Sequence, residues 1–87
     1  MTRLDSGQLA GLAQQALHDH EEEPAEAILR DWVLRHGNDA RVLHWHALLL
    51  RALDRRAEAI SAIDRAATLL PRDPLVALAS AQIRLEA

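Results

Sequence analysis

RVLHWHALLLRALDRRAEAISAIDRAATLLPRDP, residues Arg41 to Pro74, reads as two helices joined by a tight turn. Its first half, Val42, Leu43, Trp45, Ala47, Leu48, Leu49, Leu50, Ala52 and Leu53, is apolar on most faces. A helix over 40–53 with so little polar surface is expected to be sandwiched on several sides. Asp54-Arg55-Arg56 is the expected turn. A second helix over about 57–70 would bury Ala59, Ile60, Ile63, Ala66, Ala67 and Leu70, and Pro71 stops it. Asp73-Pro74 then supplies an N-cap followed by proline at the first helical position, a start signal for another helix.

Comparison of the chain with itself at an offset of 34 extends this unit in both directions. The offset aligns Leu9, Leu43 and Ala77, and also Ala13, Ala47 and Ala81. It pairs Ala16 with Leu50, Ala25 with Ala59, Leu29 with Ile63, Gly37 with Pro71 and Asp39 with Asp73. Two helices recurring at this period mark a helical solenoid. The small residues have a packing reason: antiparallel helices approach closely only where side chains are small. Ala47 facing Ala59 would let the backbones meet while Leu43, Leu50 and Ile63 fill the flanks.

Leu43-x2-His46-Ala47-x2-Leu50, followed by Ala59-x3-Ile63-x2-Ala66-x4-Pro71, resembles the tetratricopeptide repeat family. It departs at His46, where the family usually has Leu, and at Asp54, where a Gly often ends the first helix. The resemblance implies an all-α fold of about five helices. Antiparallel hairpins would stack as a short right-handed superhelix. The frame assigns residues 1–5 to an N-terminal tail, 6–39 to a divergent first repeat, 40–73 to a second repeat and 74–87 to a terminal helix, half a repeat.

Upstream, Asp5-x-x-Gln8 has capping-box spacing, with Leu4 and Leu9 at staple positions. Leu9, Leu12, Ala13, Ala16 and Leu17 form an amphipathic stripe, and the helix is expected to fade near His18. His18-Asp19-His20-Glu21-Glu22-Glu23 reads as a linker. Pro24 suits the first position of the next helix, with acidic residues at its positive end. That helix is expected to bury Ala25, Ile28, Leu29 and Trp32, to carry Glu26–Arg30 and Asp31–Arg35 pairs outside, and to stop at Gly37. An alternative offset of 32 aligns Ala25-Glu26-Ala27-Ile28 with Ala57-Glu58-Ala59-Ile60, but it would bury an unpaired Asp31 carboxylate. The frame of 34 is preferred. It places Trp32 where Ala66 sits, so the first repeat is expected to be splayed or atypical.

Composition narrows the function classes. The 87 residues include 17 Ala, three Gly, three Pro and no Cys, which favours helix and excludes disulfides and thiolate chemistry. All ten basic residues are Arg, a usage typical of GC-rich bacterial coding, and the formal net charge is -3. That balance offers no general attraction to nucleic acid or anionic membrane. No apolar run approaches the roughly 20 residues that span a bilayer, and the first residues lack a signal-peptide core. A cytoplasmic protein is expected.

No nucleophile–base–orienter set, phosphate-cradling loop or paired-carboxylate motif is visible, so no catalytic residue or cofactor is expected. His18, His20 and Glu21 to Glu23 are metal-compatible ligand types, but they lie in one short polar segment and a solvated linker is expected. His46 is expected to pack between helices with one nitrogen hydrogen-bonded, and His44 to face outward. The resemblance implies a binding groove lined by the first helix of each repeat. Carried over by position, that surface comprises Ala10, Gln14 and Leu17, then Arg41, His44, Leu48 and Arg51, then Leu75, Leu78, Gln82 and Leu85. Arg41 and Arg51 suit a carboxylate or an acidic peptide. The Lys/Asn carboxylate clamp of chaperone-binding members is absent. Three roles stay open: a module binding a protein or peptide segment, as the N-terminal part of a longer bacterial protein; an accessory domain of an enzyme of sulfotransferase, glycosyltransferase or aspartyl/asparaginyl hydroxylase type; and a homodimerisation module using the terminal helix, whose Leu75, Val76, Leu78, Ile83 and Leu85 occupy more than one face.

Overall fold

A computed structural model describes residues 5–85; Leu4, one half of the expected staple, lies outside them. The described residues form five α-helices and no strand: α1 (Ser6–Asp19), α2 (Glu22–Arg35), α3 (Ala40–Ala52), α4 (Arg56–Leu69) and α5 (Pro74–Leu85). None is long and apolar enough to cross a membrane. The helices pack as antiparallel hairpins, and α3 touches all four others. It divides the core in two. Val42 and Leu49 join Leu9, Ala13, Ala16, Ala25 and Leu29, while Leu43, Ala47 and Leu50 join α4 and α5. Ala47 and Ala59 are both fully buried in that second cluster. A helix with two apolar flanks needs a neighbour on each, which is why α3 is central.

The helix ends recur at the 34-residue period. Asp5, Asp39 and Asp73 each accept a backbone N–H three residues on, from Gln8, Val42 and Val76, and Gln8 closes the first capping box. His20 and Asp54 both take left-handed backbone, at φ 58° and 62°. The following amides, of Glu21 and Arg55, bond back to the carbonyls of Ala16 and Leu50 at 2.9 and 2.8 Å. That closes orphan carbonyls at both helix ends. α2 and α4 end differently. His36 and Leu70 are both at φ −129°, and their amides bond to Trp32 and Ala66.

Several local expectations are corrected. α2 begins at Glu22, so Pro24 is its third residue and not its first; the amide it lacks is still one with no intrahelical partner. The expected linker shrinks accordingly, because His18 and Asp19 belong to α1. Gly37 does not supply a left-handed stop, since no glycine has positive φ. Its want of a side chain serves Arg65, whose Nη2 donates to the Gly37 carbonyl at 2.7 Å and would lie 2.8 Å from a Cβ there. Ile28 is 42% exposed and Leu70 40% exposed, so neither is core; Ala62 is buried instead. Trp32 is half-buried and donates its indole N–H to Asp39 at 3.0 Å. With that bulk at the position equivalent to Ala66, the α1–α2 interface is smaller than the α3–α4 interface.

Candidate functional site

α1, α3 and α5 share one surface, and it holds two cavities at opposite ends of α3. At the C-terminal end, Leu17 of α1, Leu48 and Arg51 of α3 and Gln82 of α5 surround about 500 Å³ together with Glu22. At the N-terminal end, Arg41, His44, Trp45, Asp73 and Leu75 line about 230 Å³. Of the expected surface, Leu17, Leu48, Arg51 and Gln82 line the first cavity and Arg41, His44 and Leu75 the second. Ala10, Gln14, Leu78 and Leu85 line neither cavity.

The electrostatics differ from the expected basic strip. Glu22 shares the cavity of Arg51, and Asp73 shares that of Arg41. Each cavity therefore has both a guanidinium and a carboxylate in its lining, and the surface is mixed in charge. Arg41 is exposed and leans toward α1, its Nη1 3.8 Å from where a Cβ on Gly7 would stand. His44 faces the second cavity and is only partly exposed. Its ring edge lies against Trp45, centroids 5.3 Å apart. Burial lowers its pKa below the ordinary 6.5, with Asp73 opposing the shift.

A second polar group lies on the other side of α3, and local pattern did not reveal it. Glu26 was expected to pair with Arg30 on the outside; it is 3% exposed. His46 Nε2 lies 2.8 Å from Glu26 Oε2, and Arg55 Nη1 donates to Oε1 at 2.8 Å, while Arg30 stands 3.7 Å off. The remaining Arg55 donors clasp Glu58 at 2.9 and 2.6 Å. Burial alone would raise the Glu26 carboxyl, but the His46 and Arg55 hydrogen bonds and nearby guanidinium charge outweigh it and hold the pKa below 4.5. Arg55, bonded first to Glu58 and then to Glu26, is pushed up, and Glu58 down. With Glu26 ionised, His46 Nε2–H is the donor, as expected of a packed histidine with one nitrogen bonded. Its Nδ1 is buried without a partner. Ser61 lines the same cavity of about 240 Å³ as His46, yet no hydrogen bond joins the two. The Glu26–His46 pair is therefore oriented and paired inside the fold, with no nucleophile in line.

Among the described residues no group of three or more His, Cys, Asp or Glu side chains is placed to hold a metal ion. His20 does approach Glu22, at 3.8 Å. In comparisons with known proteins, no family model, curated protein or solved structure matches the chain.

Proposed function

We propose that this chain is a protein-interaction module of tetratricopeptide type, a short right-handed superhelix that holds a peptide segment along the surface shared by α1, α3 and α5. The observation that carries the reading is the 500 Å³ cavity at the end of α3, to which all three helices contribute. Leu17 and Leu48 give it an apolar floor, and Arg51 and Gln82 give it directional donors, the mixture by which a groove fixes both affinity and register. An arginine fork suits a carboxylate. Glu22 in the cavity of Arg51, and Asp73 in that of Arg41, call for donors on the guest as well. A segment of alternating charge with one or two apolar side chains fits better than a uniformly acidic one. The module acts by binding, without cofactor or catalytic step, and works in the cytoplasm.

The test uses linear peptides selected on the immobilised chain from a display library and titrated by calorimetry. Arg41→Glu combined with Arg51→Glu is expected to weaken the selected peptides at least tenfold, about 1.4 kcal/mol. Neither side chain belongs to either core cluster, and thermal melts check that the double variant stays folded. Equal affinity for wild type and the double variant overturns the assignment of this face.

A further inference from the structure

α5 carries two apolar stripes on opposite sides. Val76, Ala79 and Ile83 are buried against the core. At 100° per residue, the opposite stripe is Pro74, Leu78, Ala81 and Leu85, with Ala77 beside it. All five are exposed, Leu78 at 56% and Leu85 at 82%. The outward side of α1 has a different character. Opposite its buried Leu9, Ala13 and Ala16, α1 presents Gly7, Gly11, Gln14, Gln15 and His18, with no large apolar side chain. The spacing on α5 is also informative. Pro74, Leu78, Ala81 and Leu85 are four, three and four residues apart, the spacing of a helix-pairing seam.

We infer that this outward stripe is a self-association surface on which α5 of a second copy lies antiparallel, Leu78 of each copy against Ala81 of the other. The stripe is complementary in size to itself, and in one direction only. In a two-fold antiparallel pair centred between residues 79 and 80, Leu78 meets Ala81 twice and Leu85 meets Pro74 twice. Every layer then sets a large side chain against a small one. A parallel pair would set Leu78 against Leu78 and Ala81 against Ala81, crowding one layer and leaving the next empty. The antiparallel pair also opposes the two helix dipoles. It uses the same stripe on both copies, so the association closes at two chains. The surface is separate from the cavity around Arg51 and does not depend on the peptide-binding reading.

Sedimentation equilibrium of the 87-residue chain from roughly 10 µM to 1 mM reads this directly, a span suited to a one-helix interface. A reversible monomer–dimer equilibrium is expected. Leu78→Ala, which opposes alanine to alanine, and Ala81→Leu, which opposes leucine to leucine, are each expected to weaken it at least tenfold. The double variant Leu78→Ala/Ala81→Leu restores complementarity with the sizes exchanged and is expected to recover dimerisation. Circular dichroism melts check that all variants fold. A monomer throughout the range overturns the inference. So does a dimer that Ala81→Leu strengthens, which marks parallel pairing, or one that ignores all three variants, which places the contact elsewhere.

Discussion

At the scale of single residues, Glu26 carries the largest consequence. Its carboxylate is buried because His46 of α3, Arg55 of the turn before α4 and Arg30 of α2 reach it. Glu26→Leu removes the acceptor and strands His46 Nε2 inside the fold. A loss of about 2–3 kcal/mol in urea denaturation is expected. Glu26→Leu/His46→Leu removes both partners, and stability is expected to return to within about 1 kcal/mol of wild type. A double variant no better than the single one contradicts the pairing. The same contacts set a pH dependence. The folded-state pKa of Glu26 is lowered, so as pH falls the unfolded chain takes the proton first. The stabilisation is complete above the ordinary value of 4.5, declines below it, and is lost once the pH passes the folded value. The advantage of wild type over Glu26→Gln in denaturation midpoint is therefore expected to shrink as pH falls below 4.5 and to be steady above it. None of this was legible locally. Glu26 and Arg30 have the i, i+4 spacing of a surface pair, while the partners that decide burial lie 20 and 29 residues away.

At the scale of elements, most helices announced themselves through their ends. Asp73 was readable as a cap, and Asp39 through its alignment with it, because a short acceptor before an apolar run meets an unpaired amide. Asp39 also binds the Trp32 indole, joining the end of α2 to the start of α3. Asp39→Ala is thus expected to cost about 1–2 kcal/mol by thermal melting, and more than Asp73→Ala, which loses a cap alone. A smaller effect at Asp39 contradicts the linking role. The two left-handed turns were only half legible: the missing glycine at Asp54 was noticed, its equivalent at His20 was not, and the strained backbone appears only in the structure. His20→Gly is expected to stabilise by about 0.5–1 kcal/mol. The close approach of α3 and α4 rests on alanine. Ala47→Leu or Ala59→Leu is expected to overpack it at about 1–3 kcal/mol, and no loss in denaturant midpoint for either contradicts the pairing.

At the scale of the whole molecule, the order of the helices and the central place of α3 followed from counting apolar faces. A helix apolar all round is surrounded, and one apolar on a stripe lies at an edge. Part of the expected surface was legible as well, since Leu17, Leu48, Arg51 and Gln82 line one cavity. Its charge was not, because Glu22 and Asp73 reach that surface from helix starts whose direction depends on the turns. The central claim is that this surface receives a guest. Amide chemical-shift mapping of the ¹⁵N-labelled chain, titrated with a display-selected peptide, tests it most directly. The account predicts saturable shifts at Leu17, Leu48, Arg51 and Gln82, with the outer sides of α2 and α4 unmoved. Shifts confined to α2 and α4 would contradict it.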